Sequence, residues 1–429
     1  MTRNSTDVEN PTEAPSATSD REQGTPDRAL HSALLWPGPA PTGRRLGALA
    51  TNSPTRYACL PSRADLRFLV PTGPGPVRAA AVRRLPRLGA LPRPLRSAAV
   101  AVLGDLGLLR LWPIQLTVDR PLDEESLLQH LGTALGTAVT ASARFGPPRA
   151  NRKPVLELFD RNGRTRAFAK VGWNDLTAEL VRREEAALRA VHAKRLDHLS
   201  APPLLDAGTW HDLTYLLLGP VETGPTGATD DRARDRAMLE LTRAFAGSAV
   251  PLSDSAHWTA LRASLEALDG AGGDLASAAA RLDSVAPRIT VTPSAWHGDW
   301  TPWNMTTDEG TAVVWDWERF ELEVPSGFDA LHFAFHHAVR REGLTPQVAI
   351  RRTAARSAAI LSPFGVADAD AAGTFAVYLL HLGQRHARDG QDRAGAKKGP
   401  LSAWLVPAVD AVVSSVVSEF GGGDGAGRR

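Results

Sequence analysis

Length, composition and charge narrow the range of functions. The chain has 429 residues, is 43% hydrophobic, and carries 49 Lys and Arg against 47 Asp and Glu. Its formal net charge of +2 gives no global field for nucleic acid, so we expect no nucleic-acid partner. The one cysteine, Cys59, excludes an internal disulfide and a cysteine-based zinc site. A prior of about 100 to 200 residues per domain predicts two or three folded units.

The N-terminal segment, residues 1–50, is rich in Ser, Thr, Pro and charged residues. It is predicted to be a disordered arm because it cannot bury enough apolar surface to offset its chain entropy. It also lacks the apolar core of a signal peptide, and the most apolar later stretch, 98–118, is interrupted by Asp105 and Arg110. We therefore expect a cytoplasmic protein that has no membrane partner.

Residues 51–136 are predicted to form an α/β extension of unknown role, because short apolar runs, helix-like segments and the strand-like "LWPIQLTV" follow one another there. Residues 137–221 contain the strand candidates "TAVTASARF", "KPVLELFD" and "TRAFAKVGW", an amphipathic helix over 176–194, and a further strand, "LTYLLLGPV". That strand ends at Gly219-Pro220, a pair that suits a hinge. This region is predicted to be a small sheet-rich lobe.

Residues 222–419 are predicted to be a larger helical lobe, with a cleft at the junction of the two lobes. Strands interrupt it at "RITVTP" and "TAVVWDW". Residues 420–429, which are Phe420 followed by "GGGDGAGRR", are predicted to be a flexible tail. Helical periodicity covers about 228–246, 254–268, 274–284, 326–342, 345–361, 368–388 and 402–418.

The chemistry concentrates in two short segments, "WHGDWTPWN" at 296–304 and "VVWDWE" at 313–318. Phosphoryl transfer from a nucleotide needs a metal on the phosphates, a cation on the phosphate tail and a carboxylate directed at the attacking hydroxyl. A tight loop from Asp299 to Asn304 can place a carboxylate on the acceptor and a carboxamide oxygen on Mg²⁺. Asp316, at the end of an apolar strand, offers the hard oxygen that magnesium prefers.

These residues resemble the catalytic segment of the aminoglycoside phosphotransferase and choline kinase-like family. The resemblance covers roughly residues 137–390 and implies an α+β, two-lobed protein-kinase-like fold, with a small antiparallel-sheet N-terminal lobe, a larger helical C-terminal lobe and, here, an extra N-terminal region. It also implies transfer of the γ-phosphoryl group of ATP or GTP, with Mg²⁺, to a small-molecule hydroxyl. The residues that carry it are His297, Gly298, Asp299, Pro302, Asn304, Asp316, Trp317, Glu318 and Asp329.

A member of this family should carry a strand lysine and a helical glutamate upstream. Lys170 lies in the apolar strand "RAFAKVGW", where an unpaired lysine would be costly to bury. At ~100° per residue, the apolar face of the following helix points near Glu184, whereas Glu185 lies roughly 100° away. We therefore predict that Glu184 is the partner of Lys170. The alternative is that the Lys170 side chain is solvated and that Glu184 lies on a solvated face of its helix.

The nucleotide should contact two further segments. The loop "FGPPRAN" at 145–151 is expected to cover the phosphates, with Gly146 and Arg149 as candidate contacts. It departs from the glycine-rich loop of protein kinases because its two prolines remove backbone donors, and a plain hairpin is the alternative. At the hinge, Leu218 and Gly219 are expected to contact the nucleotide.

The resemblance assigns supporting roles to three further residues. His297 is grouped with the catalytic residues and is expected to brace the loop through hydrogen bonds rather than to transfer a proton. Asp329 is expected to anchor the catalytic loop from the start of a helix. Glu318 is either a second metal contact or a solvated side chain. The tryptophans of the two segments are expected to be packing residues: Trp296, Trp300, Trp303, Trp315 and Trp317.

Two other functions are compatible with some of these residues. A metallohydrolase could use His297, Asp299 and Asp316 together with Asp329, His332 and His336, since positions i, i+3 and i+7 share a helix face. It would leave Lys170 and Glu184 without a role. An inactive nucleotide-binding scaffold would be expected to lack Asp299, Asn304 or Asp316, and none is missing.

The acceptor is expected to be a small molecule. Gly298 precedes Asp299 where protein kinases have arginine, and only twelve residues separate Asp316 from Asp329, too few for a peptide-docking segment. Residues 344–399 hold eight Lys and Arg against four Asp, so sugar-like or anionic acceptors are at least as compatible as polycationic antibiotics. The sequence names neither the compound nor the oligomeric state.

Overall fold

The computed structural model describes most of the region downstream of the predicted arm. The described residues are 55–61, 66–73, 75–83, 115–118, 125–146, 151–221, 230–268, 271–389 and 401–421. The predicted disordered arm, Arg149 and nearly all of the predicted tail lie outside them.

The strands and helices are numbered in chain order over these residues. The strands are β1 Thr55–Pro61, β2 Leu66–Pro71, β3 Gln115–Val118, β4 Thr140–Phe145, β5 Pro154–Phe159, β6 Thr165–Gly172, β7 Leu199–Ser200, β8 Leu204–Trp210, β9 Leu213–Leu218, β10 Val250–Pro251, β11 Thr290–Val291, β12 Pro293–Trp296, β13 Met305–Asp308, β14 Thr311–Val314 and β15 Glu321–Pro325. The helices are α1 Gly75–Arg83, α2 Leu127–Ala134, α3 Asp175–His192, α4 Asp231–Ala244, α5 Ala256–Glu266, α6 Ala271–Asp283, α7 Phe328–Arg340, α8 Pro346–Ala355, α9 Ser357–Leu361, α10 Asp368–Arg388, α11 Leu401–Trp404 and α12 Val406–Gly421.

One antiparallel sheet forms the N-terminal lobe. Within the described residues its strands pair in the order β3-β1-β2-β4-β5-β6-β9-β8. The strands of the predicted extension therefore continue the sheet of the predicted sheet-rich lobe through β2 and β4, where Phe68 faces Arg144. The domain boundary placed between 136 and 137 stays a prediction.

Alternation along the central strands decides which side chains face the cleft. On β6, Ala167, Ala169 and Val171 pack into one apolar cluster of the sheet. Lys170 therefore points to the opposite face, because successive side chains of a strand alternate. That face is covered by α3 and the C-terminal lobe, whose apolar cluster takes Leu216 from β9.

Helix α3 begins with a reciprocal cap that fixes its start. The side chain of Asn174 accepts from the Thr177 N–H at 2.9 Å, and the Thr177 hydroxyl oxygen accepts from the Asn174 N–H at 3.1 Å. From this start the 3.6-residue period brings a buried stripe that includes Leu180 and Leu188 against the sheet, and Glu184 falls within the same stripe.

The C-terminal lobe is helical, as its periodicity predicts. Seven predicted helical ranges coincide within a few residues with α4 to α12. Two of these ranges are divided: 345–361 at Arg356 into α8 and α9, and 402–418 at Leu405 into α11 and α12. The core of the lobe includes Trp258, Phe328, Phe375 and Trp404. The described residues contain no helix that meets the length and apolarity needed to cross a membrane.

The two segments at 296–304 and 313–318, which contain the candidate catalytic residues, are held by short strand pairs that the sequence did not predict in full. β12 pairs with β15, with Trp296 opposite Glu321. β13 pairs with β14, which also runs parallel to β7. The sequence analysis assigned no strand at β15, although its glutamates alternate with Leu322 and Val324. It also missed β8, because "LLDAGTW" is typical of a loop.

Candidate active site

A lysine on the sheet meets two carboxylates in the cleft between the lobes. Lys170 Nζ lies 2.6 Å from both Oε1 and Oε2 of Glu184, and 2.6 Å from Asp316 Oδ1. Glu184 is completely buried. Glu185, its neighbour, instead pairs with Arg189 on the exposed face of α3, at 2.9 Å. The structure thus brings Lys170 together with the glutamate that the helical phase selects.

Asp316 joins the two lobes in an uncommon backbone conformation. Its φ of 76° and ψ of 54° are left-handed, a region that non-glycine residues rarely adopt and that concentrates at functional sites. The turn that follows directs the Trp317 N–H to Glu184 Oε1 at 3.2 Å. Burial alone would raise the pKa of Asp316, but the charges of Lys170 and Lys153 outweigh it and hold that pKa well below its usual range. Asp316 is therefore anionic at neutral pH.

A second lysine, Lys153, lies on the same side of the sheet. Val155 pairs with Lys170 across β5 and β6, and residue 153 shares the strand face of residue 155. Its ammonium forms a buried ion pair with Glu318. Burial lowers the pKa of Lys153 to about 8, and the nearby Asp316 carboxylate opposes that shift only in part. Glu318 is only 7% exposed, so the alternative of a solvated side chain is wrong.

The loop after β12 carries the candidate base. Asn304 Nδ2 donates to Asp299 Oδ2 at 2.9 Å and to the Asp299 backbone carbonyl at 3.0 Å. The other carboxylate oxygen, Oδ1, lies 3.3 Å from His332 Nε2. About a third of the Asp299 side chain is exposed, so the carboxylate is both oriented by neighbours and open to the cleft. Because Asn304 Nδ2 donates to Asp299, the carboxamide oxygen of Asn304 is directed away from Asp299.

His297 and Asp329 hold this loop in place through hydrogen bonds to its backbone. The Asp329 carboxylate accepts from the backbone N–H groups of His297 at 2.7 Å and Gly298 at 3.2 Å. His297 is fully buried; its Nδ1 accepts from the Asp299 N–H at 3.2 Å and its Nε2 faces the Trp315 carbonyl at 3.2 Å. Burial lowers the pKa of His297 to about 4, which keeps the ring neutral and suits a bracing role.

Gly298 is needed for the same loop to close. Its φ is 83°, and a Cβ at this position would lie 2.1 Å from the Arg319 carbonyl oxygen. Only glycine combines that backbone conformation with so close an approach. Steric constraints therefore require glycine at position 298 of this chain, where protein kinases have arginine.

Three of the predicted nucleotide contacts, Gly146, Leu218 and Gly219, already have contacts within the protein. The Gly146 carbonyl accepts from Arg67 Nη1 at 2.9 Å, which ties the end of β4 to β2. Leu218 is 4% exposed and packs in the apolar cluster beneath the sheet. The Gly219 N–H is donated to the Pro203 carbonyl at 2.7 Å, so this amide is already engaged. Contact of these residues with nucleotide stays a prediction, and Arg149 lies outside the described residues.

The metal set of the metallohydrolase alternative is not gathered into one site. Among the described residues, two groups of three metal-ligating side chains have their ligand atoms within 4.8 Å of one another, and neither is that set. One of them, Glu184, Asp316 and Glu318, lies in the cleft beside Lys170. Asp329 instead binds backbone amides, as described above, and His336 packs its ring against Trp303, with centroids 5.9 Å apart.

Sequence reasoning missed two residues of this site and misjudged a third. Lys153 becomes a site residue only through the β5–β6 register, although lysine is scarce in the chain, with five among the 49 Lys and Arg, and this scarcity is a signal in the sequence. His332 was considered only as a metal ligand, and its contact with Asp299 required the position of α7. Trp303 was expected to be a packing residue, but it is 46% exposed because it lies at the surface of the catalytic loop, beside His336.

Comparisons with known proteins give structural matches alone. No protein-family model matches the chain, and no curated protein matches it. An aminoglycoside phosphotransferase, APH(4)-Ia, solved with ADP and hygromycin B, is 15% identical, with 70% of this chain and 99% of that chain covered and a TM-score of 0.42.

A putative fructosamine-3-kinase from Haemophilus somnus is 12% identical, with 68% of this chain and 96% of that chain covered and a TM-score of 0.40. ADP-bound aminoglycoside phosphotransferase APH(2'')-Ib is 12% identical, with 68% and 97% covered and a TM-score of 0.36. By its own architecture, an antiparallel sheet lobe joined to a helical lobe through Lys170, Glu184 and Asp316, the chain has a two-lobed protein-kinase-like fold.

Proposed function

We propose that this protein is a Mg²⁺-dependent phosphotransferase that moves the γ-phosphoryl group of ATP, or of GTP, to a hydroxyl of a small molecule. The observation that carries the proposal is the contact of Lys170 with both Glu184 and Asp316, 2.6 Å each. A phosphate-binding lysine held by a helix glutamate, beside a metal-binding aspartate, is the arrangement that phosphoryl transfer requires in kinases. The similar solved structures are named as small-molecule kinases, and those names describe those proteins and not this chain.

The donor set fits the metal. Asp316 and the carboxamide oxygen of Asn304 are hard oxygen ligands, and Mg²⁺ is commonly bound through one or two such protein groups with the remaining positions taken by phosphates and water. Glu318, ion-paired with Lys153, is a further oxygen donor at the same edge. When bound, Mg²⁺ would neutralise charge that develops on the transferred group.

Each side chain then has a task that its geometry supports. Lys170, released in part from Asp316 when phosphates enter, would hold the phosphate tail while Glu184 keeps the ammonium in place. Asp299 would orient the acceptor hydroxyl and take its proton late in a loose transition state, so it needs no raised pKa. His297 and Asp329 hold the loop so that the carboxylate and Asn304 keep their relative positions.

The segment after Asp316 argues for a small acceptor. In protein kinases this segment docks peptides, but here it folds into a short turn, Trp317–Arg319, and the strand Glu321–Pro325 that pairs with β12. No length is left over for a peptide platform within it. The acceptor therefore binds against the helical lobe near Asp299.

The surface beside Asp299 suits a sugar-like acceptor. Trp303 exposes nearly half of its surface, the His336 ring lies against it, and the Arg340 guanidinium carbon is 5.8 Å from the ring centroid. An exposed aromatic ring with a cation over one face favours a polyhydroxylated, neutral or anionic compound and disfavours a polycation. Cytoplasmic location and the absence of a nucleic-acid partner stay predictions from composition.

The test has two stages. Titration calorimetry with a non-hydrolysable ATP analogue, with and without Mg²⁺, should show binding that depends on Mg²⁺; no binding under either condition would contradict the proposal. An assay of ADP release over sugars, amino alcohols and antibiotics would then identify the acceptor. The Asp299→Asn variant is the control, because it should retain nucleotide binding and lose acceptor-dependent release. Nucleotide binding without turnover on any acceptor would favour an inactive scaffold.

A further inference from the structure

A second cluster of ligating side chains lies in the C-terminal lobe, away from Lys170 and Asp316. It consists of His257 on α5, Glu321 at the start of β15 and His381 on α10, and their ligand atoms all lie within 4.8 Å of one another. His381 Nε2 is 3.8 Å from Glu321 Oε2. The centroids of the two imidazole rings are 5.2 Å apart, with an interplanar angle of 25°.

The polar atoms of this cluster are buried without hydrogen-bond partners. His381 is 3% exposed, and neither of its ring nitrogens has a partner among the described residues. His257 Nε2 is likewise buried and unpartnered in this part of the structure. Buried polar groups are almost always hydrogen-bonded in native proteins, and exceptions commonly mark an ion or water at the site. One nitrogen from each ring, together with the carboxylate, can therefore serve a single ligand at this position.

We propose that His257, His381 and Glu321 form a site for a transition-metal dication of the zinc class, with a fourth position open to water. Two imidazoles bound at about 2.0 to 2.1 Å to one tetrahedral ion would have ring centroids about 5 Å apart, close to the observed separation. The carboxylate oxygen must approach His381 by less than about 1 Å to complete a tetrahedral ligand set. Glu321, with 28% of its side chain exposed, provides the side from which the ion enters.

The two histidines are in the protonation state that binds metal, whereas burial raises the pKa of Glu321 and several arginines lie around the cluster. Burial lowers the pKa of His257 to about 4 and that of His381 well below its ordinary value, so both rings are neutral at pH 7, the form that binds metal. The cation Arg385 lies nearby, but its guanidinium is engaged by the Gly298 carbonyl and stacks over the Trp296 ring. Arg319 forms a buried ion pair with Asp389, and Arg388 lies 3.9 Å from the same carboxylate. Arg183 pairs with Glu179 at 2.8 Å.

The position of the site indicates a structural role. Glu321 faces Trp296 across the β12–β15 pair, and Trp296 directly precedes His297 of the catalytic loop. The Trp296 ring also packs edge-on against His381, with centroids 5.0 Å apart. An ion bound here would tie α5 and α10 to the strand pair that supports the catalytic loop. This inference does not depend on the proposed phosphotransferase activity.

The experiment is a Co²⁺ titration of the chelator-treated full-length protein, followed by the visible absorption of tetrahedral Co²⁺. One ion per chain is expected to give this spectrum, and Zn²⁺ should displace it and raise the melting temperature. The variants His257→Gln, His381→Gln and Glu321→Gln should each weaken Co²⁺ binding by roughly tenfold or more. If a histidine variant fails to fold, Glu321→Gln still tests metal binding, because the Glu321 side chain is partly exposed and its substitution should be tolerated.

Two controls separate this site from other metal binding. His337→Asn removes an exposed histidine that lies 3.2 Å from Glu342 and should leave the spectrum unchanged. Asp316→Asn alters the cleft and should also leave it unchanged. The proposal is overturned if the wild-type protein gives no tetrahedral spectrum, if His337→Asn weakens binding as much as Glu321→Gln does, or if Asp316→Asn abolishes the spectrum.

Discussion

His332 Nε2 lies 3.3 Å from Asp299 Oδ1, on the carboxylate oxygen that Asn304 does not contact. The second ring nitrogen, Nδ1, is 3.1 Å from the Tyr378 hydroxyl. If Nε2 carries the proton, His332 donates to the carboxylate and accepts from Tyr378, so the three side chains form one chain of hydrogen bonds. Both His332 and Tyr378 are completely buried. The candidate base is thus positioned from two sides.

We expect His332→Gln to lower turnover by roughly tenfold, because the Asp299 carboxylate loses one of the two groups that orient it. Nucleotide affinity should not change, since His332 does not contact Lys170 or Asp316. Steady-state kinetics on the identified acceptor, with nucleotide titration, measures both quantities. His337→Asn, on the exposed side of the same helix, is the matched control and should behave as the wild type does. Equal turnover in both variants would limit His332 to packing.

Asp299 and Asp316 should be distinguishable by two measurements. Asp299→Asn keeps the shape and removes the base, so turnover should fall by about 10²- to 10⁴-fold, the usual range for general-base catalysis. Its nucleotide affinity should hardly change. Asp316→Asn removes a metal ligand and should weaken Mg²⁺-dependent nucleotide binding as well as turnover. Near-full activity of Asp299→Asn would transfer the role of base to another carboxylate, Glu318 first.

The sequence predicted the parts of the site whose positions follow from local periodicity. The phase of α3 selects Glu184 over Glu185 because one helix turn determines which side faces the sheet. The spacing from Asp299 to Asn304 lies within one loop, so the sequence contains it directly. Lys153 and His332 escaped because their contacts depend on strand register and on the position of α7. These are long-range features that no short segment specifies.

The pairing of Lys170 with Glu184 yields the third prediction. Glu184→Gln removes the charge that holds the ammonium inside a buried site, so nucleotide affinity should fall by roughly tenfold or more, in line with charge-assisted hydrogen bonds of about 1.5 to 3 kcal/mol. Glu185→Gln affects an exposed pair with Arg189 and should be nearly neutral. Titration calorimetry of the two variants is the measurement. A larger loss from the change at Glu185 would refute the assignment.

Acid should destabilise the protein through His297. Its folded pKa of about 4 lies below the unfolded value of 6.5, so the unfolded state binds a proton first as pH falls. Stability is therefore complete above about pH 7 and is lost progressively down to about pH 4, by roughly 2 kcal/mol between pH 7 and 5 for a shift of this size. Urea unfolding of the metal-free protein at both pH values would measure it.

The His297→Asn variant isolates this contribution. It should lose less stability than the wild type on the same acidification, because the buried group that resists protonation is gone. Asp329, whose pKa burial raises to about 7, acts in the opposite direction, since its folded state binds the proton more readily. That contribution is present in both proteins and cancels in the comparison. Equal losses in the two proteins would show that His297 does not titrate as a buried neutral ring.

Lys153 gives the last prediction, because a second buried lysine beside the phosphate-binding one has a charge that pH can remove. Its pKa of about 8 means that the ammonium is mostly charged at pH 7 and mostly neutral at pH 9. If it contributes to phosphate binding, nucleotide affinity should fall as pH rises through 8. Lys153→Met should bind nucleotide roughly tenfold more weakly at pH 7, as expected for loss of a charged donor, and should lose that pH dependence.

The control for Lys153 is Lys194→Met, which removes an exposed ammonium 4.7 Å from the Phe245 ring centroid and should leave both affinity and its pH profile unchanged. Lys153→Met also removes the nearer ion-pair partner of the buried Glu318 carboxylate and leaves the more distant Arg319, whose Nε lies 4.0 Å from Oε1, so the melting temperature should drop. Affinity and stability therefore report different functions of one side chain. A variant with a lowered melting temperature but an unchanged affinity and pH profile would make Lys153 the structural partner of Glu318 and leave Lys170 to hold the phosphates.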